Sequence, residues 1–228
     1  MVIWFQKSSL YCVTKNNKIY YKEDIRRRRQ FTKRKKKVEC VAQSISCDGR
    51  LLSSLLVVLK EASGQFGPVV EKTLFRPQNI FPLASKSGKL TSEHVKTWLK
   101  HVLYPNIGQQ SVLLLDSWSG HCNDTIEKTK PADKNIVAMM IPKGTTGRIQ
   151  PLDVYGFRVW KNVIRRFSDI VLLHNYDVNL HLRNNIIKLQ SLVHNQLSSP
   201  RYKSLLQYAW YKSGYIDERL ENFSNPQQ

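Results

Sequence analysis

Acid is what this sequence is short of. Seventeen Asp and Glu stand against 36 Lys and Arg, a formal net charge of +19, and no Asp or Glu precedes Glu23. Such an excess favours polyanion partners and fast, salt-sensitive association, while saying little about fold. An anionic membrane surface is the competing partner, but the basic cluster adjoins no lipidation motif or amphipathic anchor. No apolar run approaches a membrane span, so no membrane partner is expected. The opening MVIWFQKSS lacks the basic n-region and small-residue cleavage site of a secretion signal. Cysteine is scarce: Cys12, Cys40, Cys47 and Cys122 contain no Cys-x-x-Cys pair. Their spacing fits neither a zinc site nor a small disulfide framework, and implies reduced thiols in an intracellular protein. Internal repeats are absent too, and nothing calls for a small-molecule cofactor. What is present, 228 residues at 41% hydrophobic, suits one domain with appendages.

The stretch Ser111–Asp153 carries most of the information. Val112–Leu115 is an apolar run bounded by Ser and Asp, the pattern of a strand buried on both faces. Ser117–Gly120 breaks it, so Asp116 stands at the carboxyl end of a central strand, where open α/β sheets put their ligands. A second apolar strand is expected over Ile136–Ile141. The loop Pro142–Pro151, rich in Gly, Thr and Pro, then delivers Asp153 to the start of a helix marked by Val154, Phe157, Val159, Trp160, Val163, Ile164 and Phe167. An acid in the first turn suits the helix dipole. Two acids converging from separate elements suit Mg2+ or Mn2+, which bind phosphate substrates through one or two carboxylates and water. The plainer alternative is that Asp116 ends a strand and Asp153 caps a helix.

The block VLLLDSWSGH … IPKGTTGRIQPLDVYGFRVWK resembles the DDE superfamily of endonucleases, the pogo/Tigger-type transposases. The second acid of that family closes a strand of the form LLLLDN, which Asp116 matches. The third follows a PPNTTSLIQPLD-type loop, which Asp153 matches, with Pro142, Thr145, Thr146, Ile149, Gln150, Pro151 and Leu152 matching the loop. Ser117 stands for the usual Asn, and Lys143-Gly144 for Pro-Asn. The likeness runs from about Val38 to Asp169; the continuations VLLHNYDVNLH, KLQSLVHNQLSSP and YAWYKSGYI are similar to arthropod transposon-derived proteins. The resemblance implies an α/β fold, a ribonuclease-H-like mixed sheet flanked by helices, with a C-terminal helical extension. It also implies a site of three carboxylates and two divalent ions that cleaves phosphodiesters and transfers strands, with Asp116 and Asp153 as catalytic residues and ligands of Mg2+ or Mn2+.

The family's first acid lies on the opening strand in an Asp-Gln-Ser-Gly-Phe pattern. Setting Ser8-Ser9-Leu10 against Ser-Gly-Phe puts Gln6 where that acid belongs, so the first acid is either replaced by Gln6, whose amide cannot supply the missing charge, or absent from this chain. The opening is otherwise hard to read: Val2–Phe5 is apolar, and Lys18–Tyr21 is a second short strand candidate. Arg26–Lys37 holds nine basic residues of twelve: Arg26, Arg27, Arg28, Arg29, Lys33, Arg34, Lys35, Lys36 and Lys37. A nuclear import signal and a phosphate-gripping arm are compatible readings of it, a solvated loop the third.

Val38–Ser46 and Leu51–Leu59 flank Asp48-Gly49, a hairpin with a tight primed turn. Asp48 is therefore a turn residue rather than the missing carboxylate. Lys60–Lys89, dense in Gly and Pro, reads as a long loop. Thr91 caps a helix whose Val95, Trp98, Leu99 and Val102 share a face. A short helix is expected over Cys122–Lys130. His121, five residues past Asp116, fits a surface histidine better than a phosphate or metal contact. On the helix from Asp153, Arg158, Lys161 and Arg165 form a basic stripe, either a DNA-backbone track or a solvated face. Helices are expected over Val178–Leu197 and Pro200–Tyr215. The aromatics of the latter, Tyr202, Tyr208, Trp210, Tyr211 and Tyr215, can stack on bases but more simply pack a helix pair.

These readings divide the chain into a degenerate opening and basic segment (1–37), a core domain (38–170) and a helical extension (171–228). Three functions remain open: a DNA-binding protein of transposase descent with little or no catalysis, an active metal-dependent nuclease, or a non-catalytic nuclear interaction module. The first is preferred, with DNA as partner, the nucleus as location, and a homo-oligomer compatible with it. The family's upstream helix-turn-helix reader is not recognisable here, so the chain reads as a piece of a longer protein or as a binder with little sequence choice.

Overall fold

The computed structural model describes residues 2–9, 40–121 and 123–219. The basic block and Lys18–Tyr21 lie outside them. Six strands form one mixed sheet: β1 (Val2–Ser9), β2 (Cys40–Ser46), β3 (Leu55–Lys60), β4 (Ile80–Ser85), β5 (Gln110–Leu115) and β6 (Asn135–Met140). Their order is β4-β3-β2-β1-β5-β6. β2 runs antiparallel to both β1 and β3, whereas β5 is parallel to β1, β6 to β5 and β4 to β3.

Apolar side chains of the inner strands go to both faces. Val41, Ile45, Leu55, Val57 and Leu114 enter one core; Cys40, Ala42, Leu56, Val58, Leu113 and Leu115 enter the other. That is why these strands read as near-continuous apolar runs rather than alternating ones. Each buried Leu or Val stabilises by about 1.5–3 kcal/mol. As expected, β5 is buried on both sides. At the far edge β6 covers Ile136 but leaves Val137 and Met139 exposed.

The hairpin between β2 and β3 forms, but not with the expected primed turn. Only Gly49 takes a positive φ (+81°), and its N–H donates to the Ser46 carbonyl at 3.0 Å. A two-residue primed turn needs positive φ at both central residues; one left-handed glycine closing a longer loop is the alternative that Asp48 tolerates. Asp48 is a turn residue, bonded by Ser46 Oγ and by Arg50 Nε at 2.7 Å. Burial pushes its pKa up, but the Ser46 and Arg50 hydrogen bonds and the Arg50 charge outweigh this and hold it below the usual value.

Lys60–Lys89 is not one long loop. It contains α1 (Pro68–Thr73) and edge strand β4. The sequence IFPLAS hides the strand because of Pro82, which pairs with Val57 of β3; on an edge the missing N–H costs no second ladder bond.

Helices cover both faces. On one, α2 (Ser92–Trp98) runs on through a π-helical turn, Leu99–Leu103, and packs with α3 (Asn123–Thr129) over the core holding Trp98. Thr91 caps α2 as expected, accepting from the His94 N–H while its own N–H donates to His94 Nδ1 at 3.3 Å. On the other face lie α4 (Thr146–Ile149), a π-helical turn Leu152–Gly156, α5 (Phe157–Leu173), α6 (Arg183–Leu197) and α7 (Lys203–Lys212). Phe157, Trp160, Ile187, Val193, Leu205 and Trp210 share that core with the sheet. Thus α6 packs on β3 and β4, and α7 on the π-helical turn Leu152–Gly156. Glu61 at the end of β3 grips Arg183 in two hydrogen bonds, and Asn79 bonds Ser191 and Asn195. The aromatics Tyr202 and Trp210 are buried, as the helix-packing reading has it.

Candidate functional site

Asp116 follows directly on β5, whose last ladder pairs are Phe5–Leu115 with β1 and Leu115–Met140 with β6. One position further along β1 stands Gln6. Continued by one position, the register sets Gln6 abreast of Asp116, while β1 runs on along β2 to Ser9. On the other side, the Ile141 N–H donates to the Leu115 carbonyl at 2.8 Å, carrying the β5–β6 ladder to the end of β5.

After Asp116 the chain folds back on itself. The His121 N–H donates to the Trp118 carbonyl at 2.9 Å, closing the loop. His121 Nδ1 lies 2.7 Å from Asp116 Oδ1, and the Trp118 N–H donates to that same oxygen at 3.2 Å. The Trp118 ring stands edge-on to the His121 ring, centroids 5.1 Å apart. Gly120 lies beneath it: a Cβ there would meet the Trp118 ring at 2.2 Å. The His121 side chain is fully buried and that of Asp116 is 21% exposed. His121 is thus no surface histidine, contrary to expectation; once the loop closes, its ring fills the space behind the carboxylate. A hydrogen bond to a charged group contributes about 1.5–3 kcal/mol net.

Asp153 arrives differently. Loop 142–151 starts at the sheet end where Asp116 stands, and its residues bend it into α4: Thr145 Oγ1 donates to the Pro142 carbonyl at 2.7 Å, and the Ile149 N–H to the Thr145 carbonyl at 3.1 Å. Gln150 is fully buried and Leu152 is buried beside Leu114 and Ile141. Leu152 anchors the π-helical turn, whose Asp153 is exposed. Asp116 is thus held from behind, while Asp153 is exposed on the π-helical turn.

A family model for the DDE superfamily endonuclease matches residues 35–210, most of the chain. The chain belongs to this family. No curated protein and no solved structure matches it.

DDE endonuclease domains work with divalent metal ions and bind DNA. A two-ion centre needs several anionic oxygens around it. Here the position abreast of Asp116 is an amide residue, one Asp116 oxygen already accepts from His121 and Trp118, and among the described residues no three His, Cys, Asp or Glu gather to hold an ion. The residues present do not fit a two-ion centre.

Of the candidate nucleic-acid contacts, Arg158, Lys161 and Arg165 are exposed along α5, flanking the face that buries Phe157, Trp160 and Ile164. Lys161 Nζ lies 5.6 Å from the centroid of the Phe157 ring, and Arg165 donates to Asn162. The nine basic residues of 26–37 lie outside the described residues. No helix among the described residues is long and apolar enough to cross a membrane.

Proposed function

We propose that this protein is a DNA-binding member of the DDE superfamily, of pogo/Tigger-type and arthropod transposon descent, whose acid site has little or no cleavage activity. The sheet is read as ribonuclease-H-like, because an antiparallel run, β3-β2-β1, continues into the parallel strands β5 and β6. One observation carries the functional reading: Gln6 stands in register with Asp116, where a first acid would have to lie to share an ion with it. DNA is the partner that the net charge of +19 and the basic stripe on α5 favour. The block Arg26–Lys37 supports nuclear import and adds phosphate contacts. Asp116 and Asp153 would remain as a partial site for Mg2+ or Mn2+.

Membership of an endonuclease family favours a second reading, an active nuclease. Incubating supercoiled duplex DNA with Mn2+ separates the two. Wild type and Asp116→Ala should leave the substrate equally intact, whereas Gln6→Asp should bind Mn2+ more tightly than wild type. Nicking by wild type that disappears in Asp116→Ala would overturn the proposal. DNA affinity should fall steeply as salt rises, by about 0.9 in log-log slope for each phosphate contact; a flat response would favour an interaction module instead.

A further inference from the structure

A second surface, made of aromatic rings and cations, lies where the π-helical turn meets α7. Tyr155 packs edge-on against Tyr208, ring centroids 5.1 Å apart, and Tyr208 in turn lies 5.9 Å from Tyr211 at a tilt of 35°. Lys212 Nζ and Arg219 Cζ both stand 5.9 Å from the Tyr208 ring centroid. Two cations drawn to one ring, both exposed and neither ion-paired among the described residues, leave their charge for an outside anion. Arg158 joins them: it follows Tyr155 by three residues, the spacing that shares a helix face. Burial and the neighbouring Tyr208 raise the Tyr155 pKa, and the charge of Arg158 opposes the rise. Tyr155, Tyr208 and Tyr211 are each half-buried. Asp153 is only two residues before Tyr155, but residues two apart on a helix do not face each other, so this surface is separate from the acid site.

We propose that Tyr155, Tyr208 and Tyr211, with Arg158, Lys212 and Arg219, form a stacking surface for single-stranded DNA. The proposal rests on the DNA-binding reading for its choice of polyanion, but on residues that reading does not use, Arg158 apart. Single strands are favoured over duplex because a phenol ring needs an unpaired base to stack on, and duplex bases already cover one another. Interleaved cations meet the phosphates while the rings take the bases, the combination that binds single strands without sequence choice.

Fluorescence anisotropy with labelled oligo-dT and an abasic oligonucleotide of equal length tests this, using the full chain. Wild type should bind oligo-dT about tenfold or more tightly than the abasic strand, since base–aromatic stacking contributes on that scale. Tyr211→Ala should abolish the preference and leave abasic binding unchanged. The double variant Lys212→Gln/Arg219→Gln, at two exposed positions that do not threaten folding, should weaken both ligands and reduce the salt slope by about 1.4. Equal affinity for the two strands, or no response to either variant, would overturn the stacking surface. A duplex titration alongside keeps the readings apart: loss of duplex binding in Lys161→Gln/Arg165→Gln with oligo-dT binding retained bears on the α5 stripe alone.

Discussion

Asp116 and Asp153 are the same residue type, yet one follows directly on a strand of the sheet and is largely covered, while the other is exposed on a π-helical turn. Asp116 is fixed by its own neighbours: Trp118 and His121 bond its carboxylate from within five residues, and Gly120 makes room for the Trp118 ring. Asp153 stands exposed on the π-helical turn, beside the buried Leu152. Its place depends on Leu152 reaching a core built from β5, α5 and the end of β6. A carboxylate held locally keeps its geometry as long as its loop is closed; one held through a core keeps it only while the domain is folded.

The contrast can be broken from either side. The largest effect is expected from Leu152→Ala, which empties a fully enclosed site and should cost about 2–5 kcal/mol, read as a lower denaturant midpoint. If the stability is unchanged, Asp153 is not anchored through the core. Gly120→Ala should cost about 1–3 kcal/mol by forcing the Trp118 ring off its seat; the Trp fluorescence spectrum should shift with it, and an unaltered spectrum would mean that the loop around Asp116 is not closed as described.

A buried histidine makes part of the stability depend on pH. Burial pushes the His194 pKa below its ordinary 6.5, against an opposing hydrogen bond from its ring to the Leu52 carbonyl. The folded protein therefore disfavours the charged ring relative to the unfolded chain. Its contribution is complete above about pH 6.5 and is lost as pH falls through the lower folded value. Chemical denaturation between pH 7 and pH 5 should show this loss, and His194→Gln should flatten it. An unchanged slope would move the acid sensitivity elsewhere. The smallest effect is expected from Asp153→Asn: at an exposed position stability should change by less than about 0.5 kcal/mol, and a larger loss would show that this acid supports the fold.

Much of the sheet was legible in the sequence. VLLL closing at Asp116 marks a strand buried on both faces, and Thr91 marks a helix start, because both signals are local. β4 was not legible: Pro82 within IFPLAS looks like a break, and only an edge position next to β3 makes it acceptable. His121 was missed for a related reason. Five residues past a strand end, nothing in its spacing distinguishes a solvent-facing ring from one folded back onto the acid.

The sequence by itself determined the charge excess, the loop that carries Asp153 into a helix, and the absence of any acid from the opening strand. The tertiary structure alone decided who stands beside whom. Gln6 and Asp116 are more than a hundred residues apart, and a parallel β1–β5 ladder with one register makes them neighbours. Tyr155 and Tyr208 meet only because α7 docks on the turn that follows loop 142–151. Local chemistry sets which side chains a segment offers; burial of apolar faces on both sides of the sheet sets which segments meet, and no short stretch of chain encodes that.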